Sequence, residues 1–201
     1  MVSEQVRGLT VFSSSPACHW LGLALAVRAS SKGNVLYIDG WNTANIYELY
    51  RLAELEGLGE EALRRILISR AFTAYQLLTL LQRLEENVER FSPILLVLAE
   101  PVRLFLDEDV PRREGIDMFA SALGKLRAFI KRSGVSVAAF TALSPEDVKR
   151  RRSVFINLLV GAADQHVRVE EKGKVVRLEW VKPSRHVLEV SFNREFLYDY
   201  L

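Results

Sequence analysis

The chain has 201 residues, 49% of them apolar, a formal net charge of +2 and one cysteine. This length and composition predict a single domain over residues 1–201 with a core of ordinary size. The mild net charge excludes bulk attraction to nucleic acid or to an anionic membrane, so any basic site must be local. The lone Cys18 excludes an internal disulfide and a cysteine-cluster metal site, and we expect a cytoplasmic protein without a metal.

The beginning of the chain predicts a strand, a short loop and a helix. Apolar Leu9–Phe12 precedes "SSSPACHW" at residues 13–20, and "LGLALAVRAS" follows at residues 21–30. Nucleotide-binding folds place a phosphate loop in this order of elements, but here Ser and Pro replace glycines and the Lys is missing. The candidate residues of this degenerate site are Ser13, Ser14, Ser15, Pro16, Cys18, His19 and Trp20.

Strands and helices then alternate as far as Leu143. We predict strands over residues 33–40, 65–72, 93–100 and 135–143, and helices over residues 45–59, 73–91 and 116–134. In the first of these helices, Ile46, Leu49, Tyr50 and Ala53 share one side, with Leu52 as a further candidate for it. Five strands alternating with helices predict an α/β fold with a doubly wound, mostly parallel sheet and helices on both faces.

The pattern changes after Leu143. "SPEDVKRRRS" at residues 144–153 predicts a charged, basic loop, and the short apolar segment 154–163 fits a helix or a strand. The remaining residues alternate between apolar and polar around turns, which predicts an antiparallel β-meander on one edge of the sheet. The domain therefore divides into an α/β core, residues 1–143, and a C-terminal part of basic loop, apolar segment and β-hairpins, residues 144–201.

Two stretches carry a resemblance to a known family. "RLAELEGLGEEALRRILISRAFTAYQLLTLLQRLEE", residues 51–86, is similar to the archaeal RadA segment that joins the second and third core strands, and "VLYIDGWNT", residues 35–43, resembles the family's "YIDTENT". With the C-terminal hairpins, these make nearly the whole chain resemble the ATPase core of RecA/RadA recombinases. The resemblance implies a RecA-like, P-loop NTPase-type fold from an archaeal source, and the composition suggests a thermophile. We expect no counterpart of the family's N-terminal DNA-binding domain.

The resemblance also identifies positions where catalytic residues are missing. It places the Lys-Thr pair of the phosphate loop on Cys18-His19 or His19-Trp20, and the Asp that orients the metal on Leu98. Glu100 is a partial substitute if it shares the face of Leu98, as alternation along a strand predicts.

The two remaining catalytic positions are also changed. The family's catalytic Glu matches Trp41, while Asp39 matches an Asp that is not the general base. The Gln that senses the γ-phosphate matches Ala142 or Leu143. Because positioning and charge neutralisation supply nearly all phosphoryl-transfer catalysis, we expect no ATP hydrolysis and no cofactor, with weak ATP binding left open. Cys18 is expected to be an inert packing residue, and Trp20 and Trp41 to stack where a nucleotide would lie.

The family's two DNA-binding loops have basic counterparts. The first is "DEDVPRREG" at residues 107–115, with Arg112 and Arg113; the second is "SPEDVKRRRS", with Lys149, Arg150, Arg151 and Arg152. Consecutive cations bind phosphates without reading sequence. The alternative is that this run is an ordinary solvated surface.

These observations lead to one expected function and two alternatives. The resemblance implies a non-catalytic RecA/RadA-like paralog that assists homologous recombination or DNA repair. Its expected partners are single-stranded DNA and a recombinase or another paralog. Self-association is left open, and no membrane partner is expected. The first alternative is a pseudo-ATPase scaffold or regulator of the KaiC-like type, unrelated to DNA. The second is an ATP-binding protein with an unorthodox phosphate loop.

Overall fold

A single sheet organises the computed structural model, which describes residues 5–143, 150–173 and 175–191. Its strands are β1 (Leu9–Ser13), β2 (Val35–Asp39), β3 (Ile66–Arg70), β4 (Leu95–Ala99), β5 (Ser136–Phe140), β6 (Gln165–Lys172), β7 (Val175–Lys182) and β8 (His186–Ser191). Within the described residues they form an eight-stranded sheet in the order β3-β2-β4-β5-β1-β6-β7-β8. Neighbours from β3 to β6 pair in parallel, and β7 pairs antiparallel with β6 and with β8.

Helices connect most of these strands. They are α1 (Ala17–Ser30), α2 (Ile46–Leu55), α3 (Glu60–Arg64), α4 (Ala74–Gln82), α5 (Leu84–Phe91), a short 3-10 helix (Arg103–Leu106), α6 (Arg112–Ser133) and α7 (Arg150–Ala162). Among the residues described, no helix combines the length and apolar character needed to cross a membrane.

Helices cover both faces of the sheet, as the sequence predicted. Successive residues of a strand point to opposite faces, so Leu36 and Ile38 enter one core while Val35 and Tyr37 enter the other. One core is covered by α1 and α2, and the other by α4, α6 and α7. The expected mostly parallel α/β architecture is therefore confirmed.

Two predicted helices are interrupted. The helix expected over residues 73–91 divides into α4 and α5, because Arg83 takes φ −90° and ψ 7° between them. The helix expected over residues 45–59 ends at Leu55. Its expected apolar face is also partly wrong, since Leu49 and Ala53 are buried but Ile46 and Tyr50 are exposed.

The C-terminal part differs from a simple antiparallel addition. The ambiguous segment 154–163 lies mainly in α7, which connects β5 to β6 and lets β6 run parallel to β1. The antiparallel meander begins only at the β6–β7 pair. Strand β6 thus extends the parallel sheet and brings its own carboxyl end beside the end of β1.

Candidate functional site

The segment between β1 and α1 lies at the carboxyl edge of the parallel strands, where ligands of open α/β sheets bind. Helix α1 begins at Ala17 rather than near Leu21, so Cys18, His19 and Trp20 belong to its first turn and not to a loop. The connection is therefore short, and Ser14 takes the left-handed φ of 87°. Such backbone costs about 1–3 kcal/mol in a residue other than glycine.

The backbone amides of this connection are used within the protein. The N–H of Ser14 donates to the Leu143 carbonyl (3.1 Å) and that of Cys18 to the Ser15 carbonyl (3.0 Å), while Pro16 has no N–H. A phosphate loop instead turns successive N–H groups toward its ligand. This connection therefore lacks the array of amides that holds phosphates in P-loop proteins.

A carboxylate of the chain itself occupies the N-terminus of α1. Oε1 of Glu171, on β6, accepts hydrogen bonds from the Ser15 hydroxyl and from the Ala17 N–H, the latter at 3.1 Å. Anions are stabilised at helix N-termini by unpaired N–H groups and by the helix dipole. An open cleft of about 740 Å³ adjoins this contact and is lined by Ser14, Glu171 and neighbouring residues of both segments.

Cys18 is fully buried beneath this site. Burial raises the pKa of its thiol well above the ordinary value, because the thiolate would lose its hydration. Cys18 therefore remains a neutral thiol at physiological pH, in keeping with a packing role.

Glu100 is a buried carboxylate that joins the ends of β4, β5 and α1. It lies 2.5 Å from Nε2 of His19 and accepts hydrogen bonds from the Thr141 hydroxyl (2.9 Å) and the Ala142 N–H (2.7 Å). Burial raises the pKa of Glu100, but hydrogen bonds from His19 and Ala142 and the charge of Arg103 outweigh it and hold the pKa below its usual value.

The expected substitution of Glu100 for a metal-orienting Asp does not follow strand alternation. Strand β4 ends at Ala99, and Glu100 takes the left-handed φ of 47°, so its side chain does not continue the face on which Leu98 is buried. The carboxylate binds protein donors from α1 and from the segment that follows β5. In the part of the chain that the structure describes, no three potential ligands converge as a metal site.

Asp39 organises the loop that follows β2. Its Oδ1 accepts the N–H groups of Trp41 (3.2 Å) and Thr43 (2.9 Å), and its Oδ2 accepts that of Ala44 (2.9 Å). Arg70 on β3 places Nε 3.4 Å from Oδ2. Asp39 is fully buried and its oxygens face this loop, so it positions Trp41.

Trp41 does not fill the site as expected. Its side chain is 52% exposed, and the guanidinium of Arg103 lies 5.3 Å from the ring centroid. Trp20 is partly buried against the core beneath α1. The structure therefore places the aromatic surface of Trp41 at the rim of the site and leaves it accessible.

The candidate DNA-binding arginines lie in helices rather than loops. Arg112 and Arg113 are exposed in the first turn of α6, which begins after Pro111, and the backbone of Arg150, Arg151 and Arg152 forms the first turn of α7. Lys149 lies outside the described residues.

Helices α6 and α7 run in the same direction, so the two arginine groups, one at the start of each helix, lie at the same end of the helix pair. Phe119 and Phe155 are in contact near the start of each helix, with ring centroids 5.6 Å apart. Arg127 donates to the Ala162 carbonyl near the end of α7. The arginine-bearing first turns therefore lie together at the carboxyl edge of the sheet.

Sequence reasoning missed two residues of the site because their partners are distant in the chain. The buried His166 places Nε2 2.9 Å from the Ser13 hydroxyl, and Glu171 binds the start of α1. One signal was present: by alternation along β6, the exposed Glu171 shares the strand face on which Val167 and Val169 are buried.

Compared with known proteins, the chain matches no protein-family model and no curated protein. A function for it therefore depends on the resemblance of its sequence motifs and on the geometry of its site.

Proposed function

We propose that this chain is a RecA-like protein without ATPase activity that binds single-stranded DNA and a recombinase-type partner during homologous recombination or DNA repair. The observation that carries the DNA-binding part is the concentration of arginine in the first turns of two neighbouring parallel helices, Arg112 and Arg113 in α6 and Arg150–Arg152 in α7.

This arrangement is electrostatically unfavourable without an anion. A helix N-terminus carries about half a positive charge, and nearby cations destabilise it. Both first turns hold arginines where acidic residues are normally preferred, although Glu114 partly compensates in α6. A bound phosphate backbone relieves the repulsion, and the contacts read phosphate rather than sequence.

The lack of ATPase activity is supported by independent features of the site. The amide of Ser14 is bound to a carbonyl of the chain, and the carboxylate of Glu171 lies where a phosphate would approach α1. Leu98 is buried at the position of the family's metal-orienting Asp. A site without its Lys and metal ligands lacks the charge neutralisation on which phosphoryl transfer depends.

Fluorescence anisotropy with a labelled oligothymidylate tests the DNA-binding proposal. The variants Arg112→Ala/Arg113→Ala and Arg151→Ala/Arg152→Ala are each expected to weaken binding about tenfold, or roughly 1.4 kcal/mol. Each should also flatten the dependence of affinity on salt, because fewer counterions are released.

The matched control is Lys131→Ala/Arg185→Ala, which also removes two cations; Arg185 is exposed in the turn between β7 and β8. Lys131 is in the last turn of α6, about 30 Å along the helix from Arg112. This control should bind like the wild type. No binding by the wild type at low salt, or an equal loss in the control, would contradict the proposal.

The scaffold alternative is favoured by a different observation. Large apolar side chains are exposed on α2 and the loop before it, including Trp41, Ile46, Tyr47 and Tyr50. A concentration of such side chains is typical of protein interfaces. The identity of a co-purifying protein separates the two functions, since a recombination protein supports the first and an unrelated partner the second.

A further inference from the structure

Two exposed aromatic rings lie at the start of α4, next to the first turn of α6. Phe72 is 67% exposed and Tyr75 is 54% exposed, and the Tyr75 hydroxyl donates a hydrogen bond to Oε1 of Glu114 (2.7 Å). Arg112 and Arg113 immediately precede Glu114 in α6. We propose that the two rings form a stacking surface for unpaired nucleobases, while the two arginines bind phosphates of the same strand. This inference rests on the proposed DNA binding and names the contacts that select single strands.

The backbone that carries Phe72 is fixed by the cap of α4. The Thr73 hydroxyl oxygen accepts the Gln76 N–H (3.2 Å), and Oε1 of Gln76 accepts the Phe72 N–H (2.7 Å). This reciprocal pattern resembles a capping box, which orders the residues at the start of a helix. Tyr75 is held by its bond to Glu114. Because an aromatic side chain has only two rotatable bonds, a base that stacks on these rings costs little side-chain entropy.

The arginines beside these rings are available to an anion. In the part of the chain that the structure describes, neither Arg112 nor Arg113 forms an ion pair, and both are exposed. Three acidic residues, 107–109, precede them in the same connection, so the local charge is not strongly positive. Attraction to phosphates alone would therefore hold a strand only weakly here. The neighbouring rings supply a contact that does not depend on charge.

Stacking on exposed rings distinguishes single strands from duplexes. In a duplex both faces of each base are covered by neighbouring base pairs, whereas a base of a flexible single strand can place one face on a protein ring. Each base that does so strengthens binding about tenfold or more, and every base has such a face. We therefore expect Phe72 and Tyr75 to favour single strands over duplexes without reading sequence.

The test measures the affinity of Phe72→Ala/Tyr75→Ala for three probes of equal length: oligothymidylate, an abasic deoxyribose-phosphate strand and a duplex. This variant should bind oligothymidylate about tenfold more weakly than the wild type, because it loses the stacking contacts. It should bind the abasic strand and the duplex like the wild type, since neither offers a base face. Arg112→Ala/Arg113→Ala, in contrast, should weaken binding of the abasic strand as well.

Two further variants separate stacking from general apolar contact. Phe72→Tyr/Tyr75→Phe keeps both rings and should bind oligothymidylate like the wild type. Phe72→Leu/Tyr75→Leu keeps apolar side chains without a π face, and it should bind as weakly as the alanine variant. The leucine variant also serves if the alanine variant does not fold.

Tyr47→Ala/Tyr50→Ala is the matched control, because it also removes two exposed rings, but from α2. It should bind oligothymidylate like the wild type. An equal loss in this control, an equal loss with the abasic strand, or full affinity without the rings of Phe72 and Tyr75 would overturn the inference. Equal affinity of the wild type for the abasic strand and for oligothymidylate would overturn stacking and leave the proposed function standing. No binding of any strand by the wild type would overturn both.

Discussion

A few buried polar residues determine the geometry at the carboxyl edge of the sheet. Glu100 and Asp39 end neighbouring strands, and both are fully buried. Each carboxylate binds backbone N–H groups of the loop beside it, Ala142 for Glu100 and Thr43 for Asp39. These two carboxylates therefore hold loops together.

At this scale we predict the effect of Glu100→Gln. The folded state lowers the pKa of Glu100 below its ordinary 4.5, so its stabilising contribution is complete above pH 4.5 and is lost as the pH falls through the lower, folded value. At neutral pH the substitution should destabilise the protein by about 2 kcal/mol, because it removes charge-assisted hydrogen bonds.

Urea unfolding at neutral and acidic pH measures this difference. The gap between wild type and Glu100→Gln should shrink as the pH falls below 4.5. Glu108→Gln, which removes an exposed carboxylate, should change stability by less than ~0.5 kcal/mol. A gap that stays constant with pH would show that the charge of Glu100 does not contribute.

Among the elements, the pair α6 and α7 supports the arginine-bearing end. Phe155 of α7 contacts Phe105 of the 3-10 helix (centroids 5.8 Å apart) and Phe119 of α6 (5.6 Å), and all three rings are buried. Aromatic clusters of this kind add directional contacts to the burial of apolar area. The relative placement of Arg112 and Arg151 therefore depends on a hydrophobic cluster one to two turns away.

Phe155→Ala should destabilise the protein by about 3–5 kcal/mol, since it leaves a cavity among packed rings. Chemical denaturation monitors this loss. Phe72→Ala, which truncates a ring that is 67% exposed, should change stability by less than ~0.5 kcal/mol. An unchanged unfolding midpoint for Phe155→Ala would mean that the cluster does not hold the two helices.

Considered as a whole, the molecule has two different surfaces. Arginine-bearing helix starts lie at the carboxyl edge near β5, while exposed apolar side chains concentrate around α2, on the side of the sheet that holds β2 and the edge strand β3. The proposed function assigns nucleic acid to the first surface. The second is the surface that fits a protein partner, a recombinase in the proposed function or an unrelated protein in the scaffold alternative. The two activities should then be separable by substitution.

Tyr47→Ala/Tyr50→Ala tests this separation. Tyr47 is 86% exposed, so the variant should keep its stability within about 0.5 kcal/mol, bind oligothymidylate like the wild type and lose capture of a purified recombinase in a pull-down. Ile94→Ala, which truncates an exposed apolar side chain just before the amino end of β4, is the control and should capture the partner normally. Loss of DNA binding by the tyrosine variant, or retained capture, would contradict the assignment.

Features of the fold that depend on neighbouring residues could be predicted from the sequence. Features that depend on distant parts of the chain could not. The spacing of apolar residues along the chain indicated strands that alternate with helices. The parallel sheet with its C-terminal meander was predicted from this pattern. The exposure of Ile46 and Tyr50 was not predicted, because it depends on the area that a neighbouring element offers. The break at Arg83 was not predicted either. Periodicity identifies an apolar side chain but not whether a partner covers it.

The sequence by itself determined the order of elements as far as β5, the mostly parallel sheet and the absence of glycine and lysine between β1 and α1. Only the tertiary structure decided what binds the start of α1: Glu171, 154 positions from Ala17, reaches it because β6 pairs in parallel with β1. It also brought together the first turns of α6 and α7. Local propensities are encoded in neighbouring residues, whereas a contact between distant segments exists only once the sheet has fixed their register.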